Sequence, residues 1–211
     1  MTDEIPTEKS SARQRADAIK AFRCKHLIAV IEDPTDIRNI GTVIRNVNAL
    51  GVEKAYVVDP RGALPDDWQE MRGRRSLSRA SVSAVKWSFV RRFDSTDACH
   101  DYLESKNFTS IVTSPHVKGK ENAAFDEVDY TIFPKLAVWF GNEGRGITDA
   151  AVARARMCIN IPMYGMIDSL NLGTSSGIIL HEVTKQRRLY QSLYRKKGKR
   201  KPIRPDPADG A

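Results

Sequence analysis

The chain of 211 residues is 41% hydrophobic and 28% charged, enough for one domain with its own core and short tails. Its 34 Lys and Arg exceed 26 Asp and Glu for a net charge of +8, a balance that points to an anionic partner. No apolar stretch approaches the roughly 18 residues of a membrane span. The N-terminus lacks the apolar core of a secretion signal. Cys24, Cys99, Cys158 and the four histidines show neither disulfide nor metal-ligand spacing, so a cytoplasmic, metal-free protein is expected.

In chain order, residues 8–24 read as a helix with a thin apolar side. Leu27–Ile31 is a short β-branched run that enters the turn-forming Glu32–Asp36. Ile37, Ile40, Val43, Ile44, Val47 and Leu50 recur at helical spacing until Gly51 stops them. Strands follow at Ala55–Val58, Ser110–Thr113, Leu136–Phe140 and Cys158–Ile161. Helices are expected near 96–106 and 149–156, with a long one from Ser169 to Tyr194, where Ser169 is a natural N-cap. Continuously apolar strands separated by helices imply an α/β fold with a mainly parallel sheet covered on both faces.

The charge is unevenly distributed. Ten Lys and Arg and no acid occupy residues 185–204, which leaves twenty-four of each sign in residues 1–184. Within that neutral body, residues 71–93 hold seven basic residues without an acid, and residues 9–25 hold six against Asp17 alone. Three basic segments on a neutral body form a footprint for a polyanion. The proline-bearing stretch after Gly198 reads as a disordered basic tail. The expected organisation is a basic helical extension over 1–25, a catalytic domain over 26–194 and the tail over 195–211.

In an open α/β sheet, ligands bind where strands release the chain at their carboxyl ends. Three such exits are polar and glycine-rich: Asn39–Arg45, Gly141–Gly146 and Ile161–Asn171. Each has a bland alternative. Asn39 can be a helix cap and Gly41 a packing residue, Gly141–Gly146 an ordinary turn or a phosphate nest, and Met163 with Met166 core filler. The glycine spacing is not the dinucleotide fingerprint.

Taken together, these segments resemble the motifs of the TrmH (SpoU) family of RNA 2′-O-ribose methyltransferases, of the SPOUT class. Asn39, Gly41 and Arg45 match N-x-G-x-x-x-R. Gly141, Glu143 and Gly146 match G-x-E-x-x-G. Ile161–Asn171 matches I-P-M-x-G-x-x-x-S-L-N without a gap. The resemblance spans about residues 15–190 and is closest to the tRNA branch, which methylates a D-loop guanosine. The chain departs from the family at Leu172-Gly173, where Val-Ser is usual.

The resemblance implies a deep C-terminal trefoil knot, a homodimer with sites built from both subunits, and S-adenosylmethionine as methyl donor. It also implies catalytic roles for Asn39, Arg45, Glu143, Ser169 and Asn171. Leu136, Gly141, Asn142, Ile161, Met163 and Leu170 would hold the cofactor, and Arg15, Lys185, Arg187 and Arg188 would grip RNA. An arginine is effectively always protonated, so Arg45 is expected to clamp a phosphate and stabilise an alkoxide, with Asn39 and Glu143 orienting it. The alternatives are an rRNA methyltransferase and an inactive RNA-binding protein of the same fold.

Overall fold

The computed structural model describes residues 11–19 and 23–197. Residues 8–10 and 20–22 of the expected first helix and the tail beyond residue 197 lie outside the described residues, and Cys24, expected to end that helix, instead starts a strand.

The strands are β1 (Cys24–Glu32), β2 (Val52–Val58), β3 (Phe89–Phe93), β4 (Thr109–Thr113), β5 (Asn122–Ala124), β6 (Leu136–Phe140) and β7 (Met157–Asn160). They form one sheet in the order β3-β2-β1-β6-β4-β7-β5, and every pairing is parallel. The helices are α1 (Ser11–Ile19), α2 (Ile37–Ala49), α3 (Trp68–Gly73), α4 (Arg75–Ala80), α5 (Thr96–Ser105), α6 (Asp149–Arg154) and α7 (Leu172–Lys197). The expected parallel sheet flanked by helices is therefore present.

The strands are apolar throughout because alternate side chains feed opposite cores. Ala29, Ile31, Val138 and Phe140 pack with Ile40 and Ile44 of α2 and Leu180 and Val183 of α7. Ile28, Val30, Ala137 and Trp139 pack with Cys99 and Leu103 of α5 and Ala151 of α6. In this second layer His100 is fully buried and stacks on Trp139 at 4.1 Å. Burial, reinforced by the charge of Arg154, lowers its pKa to about 4.

Three stretches differ from expectation, the first being β5 (Asn122–Ala124), a short edge strand with no expected counterpart. Residues 64–93 carry α3, α4, a 3-10 turn at Ala84–Trp87 and the edge strand β3. The arginine pair in β3 hides its strand pattern. Arg92 is nonetheless nearly buried and faces Asp59, Asp66 and Asp94, while Arg91 lies over the Tyr102 ring at 4.1 Å. The long helix begins at Leu172, not Ser169. Asn171 supplies the cap, since its Oδ1 accepts from the Gly173 amide at 2.8 Å.

Candidate active site

The strand order reverses at β1 and β6, and the carboxyl ends of β4, β6 and β7 open beside that reversal into a cavity of about 520 Å³. Its walls come from Asn39 at the start of α2, the loop after β6, the loop after β7 and the loop after β4.

The loop after β6 is a tight reversal closed by paired backbone hydrogen bonds between Asn142 and Gly146. A Cβ on Gly141 would lie 2.2 Å from the Ile147 nitrogen, and Gly146 has a φ of +71°, so both positions require glycine. Asn142 braces the bend internally. Its Nδ2 donates to the Asp33 carbonyl at 2.6 Å, and its Oδ1 accepts from the Gly144 and Arg145 amides at 2.8 and 2.9 Å. Those two amides are thereby occupied, so the phosphate-nest reading does not apply to them. Arg145 pairs with Asp33.

Glu143 joins this loop to α2. Its Oε2 accepts from the Thr35 amide at 3.0 Å and hydroxyl at 2.9 Å, and its Oε1 accepts from Asn39 Nδ2 at 2.9 Å. Partial burial pushes the Glu143 carboxyl up. The Thr35 and Asn39 donors outweigh it and hold the group below the usual carboxylate range. Asn39 Oδ1 in turn accepts from Asn171 Nδ2 at 3.1 Å. Asn39 is therefore a bridge and not the helix cap, a place taken by Asp36, whose carboxylate accepts from the Arg38 amide.

Gly41 is a packing residue. A Cβ there would fall 2.3 Å from Ala80 Cβ on α4. Thr42 and Asn46 face α7. Asn46 Nδ2 donates to the Gly173 carbonyl at 2.7 Å and to Ser176 Oγ at 3.0 Å. A Cβ on Gly173 would lie 2.5 Å from Thr42 Cγ2, so the departure at this position matches the close approach of Thr42.

Of the expected site residues, Asn39, Gly141, Asn142, Glu143, Ile161, Met163, Ser169, Leu170 and Asn171 line the one cavity. Leu136 does not. It is fully buried at the opposite end of β6, roughly 13 Å along the strand from the exit. Arg45 is exposed on α2 and outside the lining. Asn39 and Glu143 bond each other, and among the described residues no hydrogen bond or ion pair joins either to Arg45.

The RNA-contact expectations also divide. Lys185 and Arg188 are exposed on α7, with Lys185 paired to Glu182 at 3.1 Å and Arg188 donating to the Leu50 carbonyl. Arg187 is a correction. It is buried, and its guanidinium donates to the carbonyls of Tyr130, Phe133 and Pro134. Arg15 lies in α1, with its side chain outside the described residues. Sequence reasoning missed Thr113–His116 and Lys118, which form the cavity wall after β4. The Thr-Ser-Pro exit from that strand shares the polarity of the other three segments but not their glycines.

With this geometry in place, the decisive comparison is that the model of the SpoU rRNA Methylase family matches residues 26–181. The chain belongs to the SpoU rRNA methylase family. It is similar to the tRNA (guanosine(18)-2′-O)-methyltransferase of Thermus thermophilus, at 30% identity over 188 residues and 89% of each chain. The solved Aquifex aeolicus TrmH/SpoU tRNA modifying enzyme superposes with a TM-score of 0.68 at 27% identity over 87% of each chain. The SpoU methyltransferase AviRb from Streptomyces viridochromogenes, solved with the cofactor AdoMet, shares the fold at a TM-score of 0.63. Its identity is 24%, over 76% of this chain and 60% of that one. In SpoU terms, the cavity joins the glycine-rich second motif to the third, and Asn39 ties both to the first.

Proposed function

We propose that the chain transfers a methyl group from S-adenosylmethionine to a ribose 2′-hydroxyl of tRNA, at a D-loop guanosine, in the cytoplasm. The observation that carries this reading is the Glu143–Asn39–Asn171 bridge, which fastens the three motif segments around one cavity. The guanosine assignment rests on the names of the relatives.

The cavity suits such a donor. Its volume falls in the range that holds a nucleoside-sized ligand, Met163 and Leu170 supply apolar walls, and loop backbone surrounds them. When bound, S-adenosylmethionine supplies a methyl group already activated on a sulfonium. The chain's own part is alignment and electrostatics. Arg45 clamps the phosphate of the target nucleotide with its planar fork and stabilises charge developing on the 2′-oxygen. Ser169 and Asn171 fix the ribose, while Asn39 and Glu143 hold the first turn of α2 against the glycine bend.

Arg45 stands outside the cavity of its own chain, so the complete site takes Arg45 from a second copy. Two surfaces support such a homodimer. Tyr164, Met166 and Ile167, on the loop that walls the cavity, are 96%, 101% and 66% exposed. A groove of about 530 Å³ between α2 and α7 is bordered by Ala49, Leu50, Phe125 and Ile178. The deep knot implied by family resemblance belongs to this reading.

The test is nucleoside mass spectrometry of tRNA and rRNA transcripts incubated with the purified chain and S-adenosylmethionine. The expected product is 2′-O-methylguanosine in the tRNA D-loop. Methylation of rRNA alone, or of neither RNA, overturns the proposal.

A further inference from the structure

The seven basic residues between positions 71 and 93 divide sharply once folded. Arg72 and Arg74 donate to the carbonyls of Lys86 and Ala63. Arg92 is consumed by three carboxylates and Arg91 by the Tyr102 ring. Arg75, Arg79 and Lys86 are exposed and have no acidic partner among the described residues. Arg75 and Arg79 stand four apart on α4, hence on one face, and the nearest acid in sequence is Glu70 on α3.

The position of α4 gives this leftover charge a meaning. Its last turn is pressed onto Gly41, where no side chain fits. Farther along α2, Asn48 donates to the Trp87 carbonyl at 3.3 Å and to Ser88 Oγ at 3.2 Å. Gly41 and Asn48 therefore mark the flank of α2 that meets α4 and the 3-10 turn, as Thr42 and Asn46 mark the flank that meets α7. Arg45 lies between these flanks on the helical wheel, on the open side. Packed helices are about 8–10 Å apart, so α4 and α2 can face one strand of RNA.

We infer that Arg75 and Arg79 of α4, together with Lys86, form a phosphate-binding track for the substrate RNA that leads to Arg45. Trp87, 44% exposed beside Lys86, is the stacking surface at its far end. The inference rests on the methyltransferase reading and adds where the RNA body lies. An aromatic ring beside unpaired cations suits looped RNA, whose bases can stack on it, better than an acidic protein. The Trp87 backbone is held in place, since Arg23 also donates to its carbonyl at 2.7 Å.

The test is fluorescence-anisotropy titration of a tRNA transcript at several salt concentrations, with wild-type chain and the Arg75→Ala/Arg79→Ala variant. Each lost phosphate contact lowers the slope of log affinity against log salt by about 0.7–0.9, so a fall of about 1.4–1.8 is expected. S-adenosylmethionine affinity should be unchanged, which reports intact folding. Lys106→Ala, at the end of α5, should leave the slope as it is, and Trp87→Ala should weaken binding without changing it. An unchanged slope in the double variant, or an equal fall in Lys106→Ala, overturns the track. Wild-type chain that methylates tRNA while the double variant keeps its slope sinks the track alone. Wild-type chain that neither methylates nor binds tRNA sinks both.

Discussion

Asn39 Nδ2 donates to Glu143 Oε1 at 2.9 Å across more than a hundred residues of chain. A neutral amide thus joins a carboxylate from the glycine bend to the first turn of the helix that bears Arg45. A hydrogen bond to a charged group contributes about 1.5–3 kcal/mol. Asn39→Ala should therefore reduce kcat by about ten- to a hundredfold, with S-adenosylmethionine affinity little altered. Asn39→Asp should be worse, because it sets two carboxylates against each other. Single-turnover methylation assays compare the two, and equal activity in Asn39→Asp and wild type would remove the bridge from the mechanism.

The proposed completion of the site by a second copy has an arithmetic signature. Arg45→Ala and Asn171→Ala chains are each expected to be nearly inactive. Unfolded together and refolded as an equal mixture, they should regain about a quarter of wild-type activity, since half of the dimers then hold one intact site of two. No recovery on mixing would place both residues in the same chain's site.

Thr42 and Gly173 fill one space between α2 and α7. Gly173→Ser brings a Cβ to 2.5 Å from Thr42 Cγ2 and should cost about 1–3 kcal/mol by overpacking. Thr42→Ala in the same chain should return most of that loss. Urea unfolding of both single variants and the double variant measures the coupling; strict additivity would show that the two residues do not compete.

Arg187 is a strut under the Tyr130–Pro134 segment. Arg187→Ala strips donors from three carbonyls and should lower stability by about 2–4 kcal/mol. It should leave the salt dependence of tRNA binding untouched. A thermal melt unaffected by the substitution, or a reduced salt slope, would return Arg187 to the RNA interface.

His100 makes stability depend on pH in a defined window. Its folded pKa of about 4 lies below the ordinary 6.5, so the unfolded chain binds more protons between those values. Stability is full above pH 6.5 and declines as pH falls toward 4, by up to about 3 kcal/mol from this group. His100→Phe, which keeps a ring on Trp139, should flatten that part of the curve. Parallel denaturation curves for the two chains from pH 7 to pH 4 would contradict this.

Much of the architecture was legible in the linear order of residues. The period of the apolar positions gave five of the seven strands and α2, and polar, glycine-bearing stretches at the strand ends marked two of the three loops that wall the cavity, along with Asn39 of α2. These are local properties: a glycine bend, an extended apolar run and a capped helix are specified by residues a few positions apart. The edge strand β3 escaped because its two arginines are neutralised from a distance, one by carboxylates and one by a ring. Leu136, expected at the cofactor, instead starts β6 at the end away from the cavity, since an apolar run carries no mark of which end opens onto a ligand. What each arginine does was decided only in three dimensions. Arg187 is spent on carbonyls more than fifty residues away, and Arg75 and Arg79 are exposed with no acidic partner among the described residues. Charge is written in the sequence, but whether it is neutralised depends on through-space partners within a few ångströms, and only folding brings those together.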